Sequence, residues 1–336
     1  MPASEVVQVD ARTPDPAAIA RAAAGLRGGG LVAFPTETVY GLGANALDAA
    51  AVGRIFKAKG RPANNPLIVH VADAAAARQV VTDWPASAVM LAGKFWPGPL
   101  TLVLPRGASI PEIVTAGGPT VAVRTPAHHV ARALIEAAGV PIAAPSANRS
   151  SRLSPTRAEH VVRDLGGHVD MILDAGPTPG GLESTVLDMT TVPPRLLRPG
   201  LVTPGQIEAL IGSILLSSER ALATSAPLPS PGMMGRHYAP RAPLECAADD
   251  GWERVEALCR SGIRVGWLTF AVDPDQKPAG LLTEVMPRDA AAFAAQLYAA
   301  LHRLDDADVE RIVVALPPDT EEWLAVRDRL RRAAVP

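Results

Sequence analysis

At 336 residues the chain exceeds what one hydrophobic core comfortably serves, so two domains are expected, and 48% hydrophobic with 20% charged residues describes a globular protein. A formal charge of −2 gives no global attraction to nucleic acid, so anion binding must come from local clusters, and two cysteines, Cys246 and Cys259, exclude a disulfide framework or a four-cysteine zinc site. The opening MPASEVVQVDARTPDP lacks the basic and apolar runs of a signal peptide, and no stretch reaches the roughly 18 apolar residues of a membrane span, which makes the cytoplasm the expected location.

In chain order, the apolar spacing from Ala17 to Leu26 predicts a helix closed by Gly28 to Gly30. LVAF (Leu31 to Phe34) reads as a buried strand, followed by the loop PTETVYGLG. Asp48 predicts an N-cap for a helix running to Lys59, with Gly60 as its stop. Strands are expected at Leu67 to Val71, Leu100 to Leu104 and Thr120 to Arg124, with helical stretches at Ala74 to Val81, Ala86 to Phe95 and His128 to Ala138. After PIAAPSAN come a helix from Arg157 to Leu165 and strands near Met171 to Asp174, Ser184 to Met189 and Arg195 to Arg198. Helices and strands intermingle without strict alternation, which predicts a mixed, twisted sheet with helices packed on it.

The composition then shifts to Pro, Ser and Ala between Leu215 and Pro243, a linker signature. Beyond it, Trp252 to Cys259 (helix), IRVGWLTF (strand), Ala290 to Leu304 (helix), RIVVAL (strand) and Glu321 to Arg331 (helix) alternate as in a small open α/β domain. The domains expected are thus 1–212, a linker or lid over 213–243, and 244–336.

Three stretches carry candidate chemistry. In FKAKGRPANNPL, Lys57, Lys59 and Arg61 stand at every second position at a helix end. Such cations commonly form a solvated helix terminus. Against that reading, Gly60 and Pro62 break the helix, so the Arg61 fork would project from a loop, as bidentate phosphate recognition requires. Ser146-Ala147-Asn148 follows the buried strand PIAA and is either a turn or a ligand cradle. The loop PTETVYGLG offers hydroxyls at Thr36 and Thr38 and glycines that allow close backbone approach. His70 sits within LIVHV, where a lone histidine is more often a core residue than a ligand. Arg124, Ser184 and Arg198 lie at strand ends, where α/β sheets gather ligands. No P-loop, dinucleotide-binding glycine motif, nucleophile elbow or zinc helix occurs. The residues alone reach an anion-binding α/β protein.

FPTETVYGLG, Lys59-Gly60-Arg61, NNPLIVHV, FWPGPLTLVL, Ser146-Ala147-Asn148 in APSAN, and ESTVLD together resemble the threonylcarbamoyl-AMP synthase family with its YrdC-like fold. The match runs from about Gly28 to about Gly205, and the segment PGMMGRHYAP with the C-terminal α/β part is similar to the longer, two-domain branch. The resemblance implies an α/β fold with a mixed twisted sheet and a second, smaller Rossmann-like α/β domain. It implies that L-threonine, bicarbonate and ATP give threonylcarbamoyl-AMP and pyrophosphate, the product passing to a transferase that modifies tRNA beside the anticodon. It implies a threonine pocket of Thr38, His70, Arg124, Ala144 and Ser184. ATP contacts would come from Lys57, Arg61, Asn65, Thr120, Ser146, Ser154, Arg198 and Tyr238, and Lys59, Arg61, Ser146 and Asn148 would form the catalytic signature, with Mg²⁺ held mainly through the ATP phosphates. A carbamate oxygen is a competent nucleophile, so charge neutralisation and in-line placement carry the rate. PGMMGRHYAP is expected to act as a lid, with Tyr238 docking on the nucleotide. The competing readings are a non-catalytic RNA- or tRNA-binding module, a hydrogenase-maturation carbamoyltransferase (whose paired C-x-x-C zinc motifs are missing here), and an inert structural protein.

Overall fold

Local signals start the first helices where the sequence places them. The Asp15 side chain accepts from the Ala18 N–H at the head of helix Pro16–Arg27, and Asp48 accepts from Ala50 and Ala51 at the head of Ala49–Lys59. The second of these ends on Gly60 at φ 59°, a left-handed cap that costs a glycine little. The computed structural model describes residues 4–216, 228, 230, 237–271 and 277–335. It divides into one unit of Met1–Ser150 with Pro155–Met234, and a second of Ser151–Ser154 with Gly235–Pro336.

The strands of the first unit are β1 (Glu5–Gln8), β2 (Val32–Phe34), β3 (Gly41–Asn45), β4 (Ile68–His70), β5 (Leu100–Pro105), β6 (Thr120–Arg124), β7 (Ile142–Ala143), β8 (Met171–Asp174), β9 (Thr185–Asp188), β10 (Arg195–Arg198) and β11 (Leu215–Leu216). They form one mixed sheet in the order β1-β8-β2-β3-β7-β4-β6-β5-β9-β10-β11. β4 runs parallel to β6 and antiparallel to β7, and β3 is antiparallel to both β2 and β7. Helices Pro16–Arg27 and His129–Ala138 bury Ile19, Leu26, Leu134 and Ile135 against Val32, Phe34 and Ile142. This apolar layer anchors the strands whose ends carry the candidate site.

The second unit holds an all-parallel sheet of β12 (Leu244–Ala247), β13 (Val265–Thr269), β14 (Leu281–Val285) and β15 (Arg311–Ala315), ordered β12-β15-β13-β14. Helix Ala290–Asp306 supplies Phe293, Leu297 and Leu301 to its core. A cavity of about 720 Å³, lined in part by Asp250, Thr269, Phe270, Trp323 and Arg327, opens beyond the carboxyl ends of β12, β13 and β15.

Several elements depart from the sequence reading. The PTETVYGLG loop ends at Tyr40, because Gly41–Asn45 pairs with β2 as a strand. Leu244–Ala247 and Leu281–Val285 are strands in stretches to which the sequence reading assigned no element. Leu215–Leu216, placed in the linker, adds a short edge strand beside β10. No helix among the described residues is long and apolar enough to cross a membrane.

Candidate active site

Helix Ala49–Lys59 and the turn after β7 bring together residues about ninety positions apart in the chain. Lys59 is the helix's last residue, 3% exposed, and its Nζ donates to Ser146 O at 2.6 Å, to Asn148 O, and to Asn148 Oδ1 at 3.3 Å. Ser146 Oγ donates to Asn148 Oδ1 at 2.6 Å, and Ser150 N–H to Lys59 O at 2.8 Å. A compact ammonium has three donors, and all three close onto this turn. Burial first, and the neighbouring Arg61 charge second, hold the Lys59 amine well below the ordinary lysine range. The turn itself is pinned to β3, since Leu42 N–H donates to Pro145 O at 2.7 Å and Gly41 bridges Ser146.

Arg61 turns inward. It is 9% exposed, with Nε on Asn65 O (2.9 Å) and Nη2 on Asn65 Oδ1 (2.7 Å) and Pro66 O (2.6 Å). The solvated helix end therefore describes Lys57, which is exposed, and not Lys59 or Arg61. The expectation that the Arg61 fork projects from its loop is corrected in the same way: Pro62 and the NNP turn fold back and give it three internal oxygens.

A second cluster forms across β4, β6 and the loop before β3. His70 and Arg124 are register partners on neighbouring parallel strands, so their side chains leave the same face of the sheet. Arg124 Nε donates to Gly98 O at 3.2 Å and Nη2 to Thr38 Oγ1 at 3.1 Å. Thr36 Oγ1 donates to Val39 O and lies 2.7 Å from Thr38 Oγ1, so the Thr38 proton points at Thr36 and its lone pairs face Arg124. Glu37 lies 2.6 Å from Arg124 Nη2, both side chains largely buried. His70 packs edge-on to Phe34, its Nδ1 is buried without a hydrogen-bond partner, and burial with the Arg124 charge lowers its pKa to about 3. The imidazole is therefore neutral at physiological pH. Further along the sheet Ser184 Oγ lies 2.8 Å from Thr101 Oγ1, and Arg198 donates to Ser184 Oγ (3.1 Å) and to Ser184 O (3.0 Å). Ala144 continues β7, its N–H on Ile68 O at 2.9 Å.

Lys59, Ser146 and Asn148 thus meet; Arg61 and Asn65 meet beside them; Thr38, His70 and Arg124 meet; Ser184 and Arg198 meet. Thr120 opens β6 with no described side-chain contact to any of these groups. Ser154 and Tyr238 belong to the second unit. There Ser154 O faces His302 Nε2 at 3.1 Å, and Tyr238, at φ 61°, is buried with the Arg329 guanidinium 5.0 Å over its ring. The expected lid lies largely outside the described residues, since 231–236 are not among them. Sequence reasoning passed over Glu37, Thr101 and Gly98. Glu37 had a signal: a buried arginine at the end of a strand asks for a counter-charge.

The site thus sits on a mixed-sheet α/β architecture, with buried cations beside hydroxyl-bearing turns. A family model described as "Telomere recombination", covering the Sua5, YciO and YrdC group, matches residues 24–200, and one described as "Threonylcarbamoyl-AMP synthase, C-terminal domain" matches residues 202–335. The threonylcarbamoyl-AMP synthase of Bacillus subtilis is 47% identical over 328 residues, 96% of this chain and 94% of that protein. That of Pyrococcus abyssi is 45% identical over 323 residues, covering 94% and 93%. The crystal structure of P. abyssi Sua5 complexed with L-threonine superposes with a TM-score of 0.90 at 42% identity, over 98% of each chain. The chain belongs to the threonylcarbamoyl-AMP synthase family.

Proposed function

We propose that this chain is an L-threonylcarbamoyladenylate synthase: it joins L-threonine, bicarbonate and ATP into threonylcarbamoyl-AMP and releases pyrophosphate. The observation that carries the reading is the joining of Lys59 to Ser146 and Asn148, with Arg61 adjacent, a buried positive nest on a turn. A buried cation partnered only by neutral oxygens favours an arriving anion, and a nucleotide phosphate is that anion. Arg61, Asn65, Ser146 and Arg198, with Lys57 and Thr120, would contact ATP, and Lys59 and Asn148 would hold the turn against its phosphates. Thr38, His70, Arg124, Ala144 and Ser184 would take threonine.

Two anions must approach each other here, the carbamate and the α-phosphate. Preorganised cations that neutralise both and hold them in line supply the rate. Among the described residues no cluster of three His, Cys, Asp or Glu is placed to hold a metal ion. Mg²⁺ carried on the ATP phosphates would neutralise part of their charge. The product would serve threonylcarbamoyl transfer to tRNA beside the anticodon, work that the enzyme would do in the cytoplasm alongside an acceptor transferase. Residues 1–212 would be the catalytic domain, 213–243 a linker, and 244–336 a Rossmann-like domain, a reading supported by its four parallel strands.

The test is to incubate the full chain with ATP, Mg²⁺, bicarbonate and labelled threonine, and to follow pyrophosphate and the adenylate by mass. Pyrophosphate should appear only when threonine and bicarbonate are both present. Rapid ATP turnover with neither would overturn the reading.

A further inference from the structure

Glu37 has no role in the reading above, yet its side chain is costly where it stands. It is 13% exposed, and both carboxylate oxygens are buried without an aligned hydrogen-bond donor. Its contact with Arg124 Nη2, at 2.6 Å, is a charge contact, while the same guanidinium spends its aligned donors on Thr38 Oγ1 and Gly98 O. The main chain leaves Glu37 little freedom to turn away. Its carbonyl accepts from Gly180 N at 2.8 Å, and a Cβ at position 180 would stand 2.6 Å from that carbonyl. The fold thus places a carboxylate with unused lone pairs beside a guanidinium, next to the Thr38 hydroxyl and a neutral imidazole with a buried, unpartnered Nδ1.

An α-amino acid carries the same two charges on adjacent groups, in the opposite sense. Its carboxylate can take up Arg124, its ammonium has three donors for Glu37, and a β-hydroxyl can reach Thr38 or His70. Resting on the reading of this cluster as the threonine pocket, we propose that Glu37 binds the substrate ammonium, so that the Glu37–Arg124 pair exchanges one internal ion pair for two with the zwitterion. Two pairs formed for one broken lets a buried pocket accept both charges with no net charge left over. It also fixes the nitrogen that is to be carbamoylated, because the ammonium is held at the carboxylate.

The experiment compares L-threonine with (R)-3-hydroxybutanoate, which is threonine without its amino group, by calorimetry on the full-length chain. The wild type should prefer threonine by about 100-fold, the worth of one charged contact in a buried site. Glu37→Gln should lower that preference to less than about 5-fold, because threonine weakens and the des-amino acid does not. Glu37→Asp, which keeps the charge on a shorter stem, should retain a preference above about 10-fold, and it supplies the test if the glutamine variant does not fold. A Glu37→Gln protein that loses affinity equally for both ligands would overturn the proposal, since Glu37 would then only position Arg124. A wild type that binds the two alike would overturn it with no variant needed. A wild type that binds neither would overturn the threonine-pocket reading itself.

Discussion

Two buried cations in the first unit are stabilised in opposite ways. Lys59 faces only uncharged oxygens, those of Ser146 and Asn148, and its amine is driven toward the neutral form. Arg124 has a hydroxyl, a carbonyl and a carboxylate around it. Among the described residues no carboxylate hydrogen-bonds the Lys59 amine, and Asp164 acts on it only through its charge, so an anion would complete the first nest; the second already holds a carboxylate, so a ligand would bring both signs. On the proposed reading, one sheet would build a site for a polyanion and a site for a zwitterion, separated by the way each cation is compensated and not by the number of cations.

Removing the uncompensated charge is the strongest way to break this contrast. Lys59→Met should lower kcat/KM for ATP by about 100- to 1000-fold, on the scale of a preorganised donor, while the threonine Kd stays within about threefold. Steady-state kinetics with calorimetry reads both, and an equal loss of threonine affinity would show that the two nests are not separable. Arg61→Ala sharpens it from the stability side. Asn65 O, Asn65 Oδ1 and Pro66 O lose their donor, so the variant should unfold about 2–3 kcal/mol more easily in urea as well as losing ATP affinity.

His70 gives a pH signature to the second nest. Its folded pKa of about 3 lies below the ordinary 6.5, so the unfolded chain binds the extra proton, and the His70 contribution is lost as pH falls from 6.5 toward 3. Between pH 6.5 and 5 that loss should be about 1.5–2 kcal/mol, and His70→Gln should flatten the slope in denaturant titrations across this window. At the small end, Lys57→Ala should change ATP kinetics by less than about threefold, because an exposed helix-end cation is screened by solvent. A larger effect would place Lys57 inside the polyanion nest.

Much of this was legible in the sequence, for identifiable reasons. Asp48 and Gly60 marked both ends of a helix, and the apolar runs LTLVL and TVAVR could be little but buried strands. Gly41–Asn45 escaped because two glycines and an asparagine carry no strand propensity; its partner β2 makes it a strand. Leu244–Ala247 escaped because four residues of LECA show no alternation. At the site, types and order gave Lys59, Ser146 and Asn148 by resemblance, but the inward turn of Arg61 depends on Asn65 and Pro66 folding back. Glu37 was hidden in a loop of hydroxyls, since only the fold puts it against Arg124, 87 positions later.

The chain has only four lysines, Lys57, Lys59, Lys94 and Lys277, amid many arginines. Because Lys59 is sealed under the Ser146–Asn148 turn while Lys57, two residues earlier, stands in solvent, an amine-acylating reagent meets two very different targets in one short peptide. Lys57 reports the reagent's own rate; Lys59 becomes reactive only when the turn lifts. Their ratio in a single peptide, read by mass spectrometry, is an internal clock for opening of the site, and needs no label or substitution.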